Sequence, residues 1–156
     1  VDNSYGDGDL WNYEDFSIMG PDGQPRGDRA WCRPYARFLS GKPLETHFNS
    51  DYHYYDPDKG EVDPWRQFYL KMGSKETDAP TEVFVPRVQY GDGFYVWLSD
   101  GWCTFDYEKN TLYWYPSEDA PGVEHEMTIR PVQEGRENLS WDYFFIKDQM
   151  LVGNRH

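Results

Sequence analysis

The chain is poor in branched aliphatic residues, with eight leucines, three isoleucines and nine valines in 156 residues. Set against a formal net charge of −13, such a shortage usually accompanies disorder. It has few cations, 15 Lys and Arg against 28 Asp and Glu. An acidic surface repels a phosphate backbone, so nucleic acid is excluded as an expected partner. No run of about 18 apolar residues occurs, so no membrane-spanning helix is expected. The chain is also too short for a complete (β/α)8 barrel, which takes roughly 250 residues. There are only two cysteines, Cys32 and Cys103. One disulfide or two free thiols are both open. Internal repeats and low-complexity tracts are missing.

What the chain has instead is rings: seven Trp, thirteen Tyr and nine Phe. Each buries about 150–250 Å², enough to replace the missing aliphatics in a folded core. Tyr and Trp also suit half-wet surfaces that stack on sugars, so aromatic richness fits both core filling and carbohydrate contact.

Residues 1–28 are rich in Gly, Asp, Asn and Pro, with no sustained period. Only Leu10 to Met19 offers a short helical turn. Asp28 to Trp31 reads as a capped, short helix ended by Pro34. From Pro43 the pattern turns to alternation. Leu44, Thr46 and Phe48 form one such set, and Arg66, Phe68, Leu70 and Met72 another. Val83 and Val85 flank Phe84 between prolines. Phe94, Val96 and Leu98 follow, then Leu112 and Trp114, then His125, Met127 and Ile129. Turn signals separate them at Gly91-Asp92-Gly93, Ser99-Asp100-Gly101, Lys109-Asn110 and Pro121-Gly122. Six or seven short strands with polar alternates predict a mainly β chain, an antiparallel β-sandwich with one packed face per sheet. The stretch 132–156 reads as a tail, an extra strand or a docking segment.

Chemistry-bearing groups are plentiful but unpatterned. Acidic residues cluster at Asp7/Asp9 and Glu14/Asp15, where solvated or capping roles compete with a catalytic one. A glycosidase would need two convergent carboxylates, about 5–5.5 Å apart for retention. The run from Asp56 to Asp63 resembles a calcium loop, but Gly60 stands where a ligand belongs and Glu61 where glycine is needed. His47, His53, His125 and His156 show no zinc spacing. A Ser/His/Asp set is compatible with the composition and marked by nothing. No metal and no cofactor is expected. Asn138-Leu139-Ser140 is the one glycosylation sequon, making Asn138 the candidate acceptor.

Three stretches carry a resemblance: DNSYGDGDLWNYEDFSI (2–18), RPYARFLSGKPL (33–44) and PTEVFVPRVQYGDGFYVWLSDG (80–101). Together, in order and spacing, they resemble endoglycoceramidase-like and glucosylceramidase-like members of glycoside hydrolase family 5, over about residues 2–131. The first resembles the loop after barrel strand eight, the second the junction into the C-terminal domain, the third part of that domain's β-sandwich.

The resemblance implies that the whole enzyme is a retaining β-glycosidase acting on glycolipids, glucosylceramide or related glycosides. It implies an acid/base Glu and a nucleophile Glu at barrel strands four and seven, both upstream of Val1, so no catalytic residue is expected here. By the same resemblance, residues 1–40 are the remnant of a TIM barrel, 41–131 the C-terminal β-sandwich and 132–156 the tail. Asp2, Asn3, Trp11, Asn12 and Glu14 match the loop at the cleft rim, as substrate-binding candidates. Alternatively, Asn12 and Asp15 fix the loop while Trp11 packs beneath it. Pro80-Thr81-Glu82 and Pro86 read as a strand's start and stop. Trp97, Tyr113 and Tyr115 are open to two uses, a sugar platform or packing against the barrel.

The implied partners are an upstream catalytic barrel and a glycolipid or carbohydrate. The chain is expected to be a processed or excised piece, with a secreted or lysosomal/vacuolar setting favoured. The competing expectation is a free-standing, non-catalytic carbohydrate-binding or structural sandwich. An apolar face against a barrel is expected on the piece alone.

Overall fold

The computed structural model describes residues 19–20, 22–25, 27–49, 55–56, 60–61, 66–91, 93–117, 122–132 and 144–147. In chain order they hold α1 (Asp28–Trp31), β1 (Tyr35–Phe38), β2 (Gly41–Phe48), β3 (Tyr55–Asp56) and β4 (Gly60–Glu61). Then come β5 (Phe68–Lys75), β6 (Thr81–Phe84), α2 (Arg87–Tyr90), β7 (Gly93–Leu98) and β8 (Trp102–Asp106). β9 (Thr111–Tyr115), β10 (His125–Pro131) and β11 (Phe144–Lys147) complete the order. A four-stranded sheet runs β1-β6-β9-β8 and a five-stranded sheet runs β11-β7-β10-β5-β2, while β3 and β4 form a separate two-stranded ribbon. All pairings are antiparallel.

The expected sandwich is what the residues build. Side chains alternate between sheet faces, and the apolar set of each central strand shares one face. In the five-stranded sheet Ile129 lies across from Phe68 and Met127 from Leu70. Val96 and Leu98 continue those rows on β7. In the four-stranded sheet Val83 opposes Leu112 and Thr81 opposes Trp114. The two inner faces close on one hydrophobic cluster, with Trp114, Met127, Val96 and Leu112 fully buried. Trp114 is the largest fully buried side chain among the described residues.

Thr81 is a polar residue in this core, and its hydroxyl is satisfied. It accepts from the Ser40 N–H at 2.9 Å and lies 2.8 Å from the Ser40 hydroxyl. That contact ties the start of β6 to the β1–β2 turn, which accounts for Thr81 as a structural residue.

Several local expectations are revised. Gly27, not Asp28, occupies the cap position of α1 with a left-handed backbone and no side-chain cap. Asp28 is the first helical residue and its carboxylate accepts the Arg29 N–H at 2.8 Å. Arg66 is no strand residue: it turns with φ of 55° ahead of β5. β1 and β8 stand where no strand was expected, and β1, inside 1–40, is hydrogen-bonded into the sandwich. The alternation of β2 is broken by irregular pairing between Pro43 and Glu45, which leaves Leu44 out of register. The Lys109-Asn110 turn is present: Asn110 takes φ of 49°. There the Asp106 carboxylate accepts the N–H groups of Glu108 and Lys109 at 3.0 and 3.1 Å. In the tail, β11 pairs with β7 as an extra strand.

Candidate functional site

Asp2, Asn3, Trp11, Asn12 and Glu14 lie outside the described residues, as do Asp7, Asp9, Asp15 and the sequon at Asn138. Within the suspected calcium loop, Asp56, Gly60 and Glu61 belong to the β3–β4 ribbon, whose register pairs Asp56 with Gly60. Among the described residues, no three His, Cys, Asp or Glu side chains converge as a metal site. Cys32 and Cys103 are both free thiols. Burial pushes the Cys103 thiol up to about 12. Burial and then the nearby Asp28 carboxylate raise the Cys32 thiol as well.

Among the described residues, the histidine buried in the core is bound to the Ser99-Asp100-Gly101 turn. His125 is 1% exposed. Its Nδ1 lies 2.6 Å from Asp100 Oδ2. Asp100 also accepts the Ser117 N–H at 2.7 Å and the Ser99 hydroxyl at 2.8 Å, and its carbonyl accepts the Trp114 indole N–H at 3.0 Å. This is not a nucleophilic set. A serine nucleophile must pass its proton to the imidazole, and here the Ser99 hydroxyl faces the carboxylate. Gly101 completes the turn with φ of 75°, and a Cβ there would run into the Tyr115 carbonyl.

Among the described residues, the β1/β2 side is one place where apolar surface is left open. β2 is the last strand of its sheet, and β1 the last of the other. Thr46 and Phe48 stand across from Leu70 and Phe68, so they extend the inner face. Four-residue β1 does not cover them. A groove of about 430 Å³ results, walled by Tyr35, Ala36, Leu39, Leu44, Phe48 and Leu70 among others. On its wall Tyr35 is 50% and Leu44 47% exposed, and in the same stretch of chain Trp31 is 51% and Phe38 43% exposed. Scattered exposed rings are ordinary; here two of the exposed side chains, Tyr35 and Leu44, wall an open apolar groove.

A buried clamp fixes how the chain reaches that side. Gln89, 1% exposed, donates from its amide to the Arg29 carbonyl at 2.6 Å and the Cys32 carbonyl at 2.9 Å. These are carbonyls at the end of α1, where no helical donor remains. The Arg66 guanidinium donates to the Gln89 carbonyl, and the Tyr90 hydroxyl donates to the Arg66 carbonyl at 3.0 Å. Burial raises the Tyr90 phenol far above its ordinary value, which keeps it a donor.

The candidate platform residues do not come together. Tyr113 and Tyr115 stand on the outer face of the four-stranded sheet, where Trp102 stacks on Tyr115 with ring centres 4.1 Å apart and planes at 10°. Trp97 belongs to the other sheet, across from Thr128. Alternation along one strand separates its two faces but does not say which sheet the strand joins.

The profile of the glycoside hydrolase family 5 C-terminal domain matches residues 33–129, more than half of the chain. The chain belongs to this family. Similar folds occur in solved structures. Endo-glycoceramidase II from Rhodococcus sp., in a ganglioside GM3 complex among others, superposes with a TM-score of 0.50 at 21% identity, covering 72% of this chain and 22% of that one. Sterylglucosidase 1 of Cryptococcus neoformans gives a TM-score of 0.53 at 19% identity, covering 70% and 14%. The chain thus spans about a fifth or less of these proteins' length. At such identities the likeness is one of fold. No curated protein matches the sequence. The match begins at Arg33, just ahead of β1 and the groove. Among the described residues no helix is long and apolar enough to cross a membrane, which says nothing of a β-barrel.

Proposed function

We propose that this family 5 C-terminal domain is the sandwich of a retaining β-glycosidase acting on glycolipids, and that its β1/β2 side seats against the catalytic barrel. The observation that carries the reading is the open apolar groove with exposed Tyr35 and Leu44 on its wall, and exposed Trp31 and Phe38 in the same stretch, beside the point where the family match begins. Covering the exposed half of these four side chains is worth about 3–6 kcal/mol before association costs. In this reading residues 1–40 close the barrel, 41–131 form the sandwich and 132–156 the tail, with β1 acting as the seam between the first two. Asp2, Asn3, Trp11, Asn12 and Glu14 then line the rim of the cleft, and Asn138 accepts glycan. The reacting carboxylates belong to the barrel.

Hydrolysis of a fluorescent glucosylceramide tests it. The 156-residue chain alone is expected to give no turnover, while native material gives turnover that co-elutes with the sandwich. Cleavage by the chain alone, or native material without glycosidase activity, would refute the reading.

A further inference from the structure

The strand β11 lies beyond the end of the family match at residue 129. We propose that β11 is a detachable strap, and that the edge of β7 it covers is a binding site for an extended segment with bulky apolar side chains at alternate positions. The proposal is independent of the barrel reading.

The seat is defined by the strand that fills it. β11 pairs with β7 antiparallel: Phe144 with Val96, Phe145 with Tyr95, Ile146 with Phe94 and Lys147 with Gly93. Side chains alternate between sheet faces, so Phe144 and Ile146 point inward together. Ile146 is fully buried, and Phe144 packs against the core cluster. Ile146 lies across from Phe94, whose ring centre is 5.0 Å from that of Phe105 and 5.7 Å from that of Tyr90. Outward, the 41%-exposed Phe145 packs on Tyr95 with centres 4.9 Å apart. Glycine at position 93 makes room for it, since a Cβ there would stand 3.1 Å from the Phe145 ring. The site therefore offers a backbone edge, a buried seat for one aliphatic side chain and a gap beneath one ring.

The strap is separable from the sandwich. The matched family domain does not include it. β7 pairs with β10 on its other edge, so the sheet stays continuous from β7 to β2 when β11 leaves. β11 is held by four residue pairs to a single strand, whereas β10 has five pairs to each of two neighbours. A short segment held on one edge opens at lower free energy than the whole domain. β10 and β11 both run antiparallel to β7, hence parallel to each other, and parallel strands are not joined by a tight hairpin. β11 is thus a separate placement on an existing edge.

The same geometry sets the class of partner. With β11 displaced, β7 presents unpaired N–H and C=O groups beside the seat of Ile146. An added strand satisfies the backbone, and its alternate side chains supply specificity. The pattern the seat selects is the one β11 carries, apolar at the positions of Phe144 and Ile146.

The test uses the 156-residue chain and a fluorescent peptide of residues 142–149, DYFFIKDQ. In the unaltered chain the tethered β11 competes at roughly millimolar effective concentration. Ile146→Asp places a charge in the buried seat and releases the strap. By fluorescence anisotropy the peptide should bind the Ile146→Asp chain at least about tenfold more tightly than the unaltered chain, and a peptide carrying Ile146→Asp should bind neither. Hydrogen exchange on the unaltered chain gives the second reading. The β11 amides bonded to β7 should exchange at least about tenfold faster than the ladder amides between β5 and β10. Circular dichroism verifies that the variant folds, and exchange decides alone if it does not. A folded Ile146→Asp chain that binds the peptide no better than the unaltered one overturns the proposal. So does protection of β11 equal to that of β5 and β10.

Discussion

Asp100→Ala is the substitution whose cost the structure specifies most closely. It removes a carboxylate that holds the Ser117 N–H at 2.7 Å, the Ser99 hydroxyl at 2.8 Å and His125 Nδ1 at 2.6 Å. The three losses are unequal. Ser99 is near solvent and water replaces its partner, so that bond contributes little. The Ser117 N–H bond is worth about 1 kcal/mol. His125 is 1% exposed, beneath Trp114 at a ring distance of 6.1 Å, and Nδ1 loses its carboxylate where water enters poorly. A bond to a charged group under those conditions is worth about 1.5–3 kcal/mol. The expected destabilisation is therefore about 2.5–4 kcal/mol.

Urea unfolding followed by tryptophan fluorescence reads this directly, since the Trp114 indole N–H donates to the Asp100 carbonyl. The thermal midpoint should fall by roughly 5–16 °C for a chain of this size. Asp100→Asn keeps an acceptor in place and should cost about half as much. In Asp100→Ala/His125→Phe the buried polar atom is gone, so the double variant should be more stable than the sum of the singles predicts. An Asp100→Ala chain within about 0.5 kcal/mol of the unaltered one, the usual range for inert surface changes, would refute the assignment of this turn as a structural hub.

Three further outcomes are expected. Gly101→Ala should destabilise by more than 1 kcal/mol, because φ of 75° costs a β-carbon about that much and the Tyr115 carbonyl blocks the space; unchanged urea midpoints would contradict it. Cys103 should resist thiol reagents until the chain unfolds, and its burial should make stability pH-dependent. Its folded value, about 12, lies above the ordinary 9.0, so the stabilisation is complete below about pH 9 and is lost as pH rises toward 12. The slope approaches about 1.4 kcal/mol per pH unit, and Cys103→Ala should flatten it; an equal slope in both chains contradicts the account. The chain alone should bind a hydrophobic dye at the β1/β2 side, and Phe38→Ser/Leu44→Ser should cut that binding without lowering the urea midpoint by more than about 1 kcal/mol; dye binding equal in both chains contradicts the surface.

Much of the fold was legible from alternation alone. Phe68-Leu70-Met72, Phe94-Val96-Leu98 and His125-Met127-Ile129 each lie on an inner face as their period requires. β8 was hidden because it is only five residues long and begins with Trp102, an apolar residue on the outward face, between two strong turn signals. α2 is a single turn between Pro86 and Gly91, too short to display a helical period. β1 spans four residues with none fully buried.

Sites were harder to read than strands. His125 and Asp100 are 25 residues apart, and the pairing exists only through register. Trp97, Tyr113 and Tyr115 looked alike along the chain and are divided between two sheets. The open groove arises from the mismatch of a four-residue β1 beside an eight-residue β2, which no single strand's pattern reveals.

The central claim is that this sandwich works as part of a larger hydrolase. Native mass spectrometry of the protein recovered from its source under mild conditions tests it most directly. The expected mass is that of the sandwich joined to, or tightly held by, a barrel of roughly 250 residues. A lone 18.5 kDa species, stable and binding no second polypeptide, would contradict it.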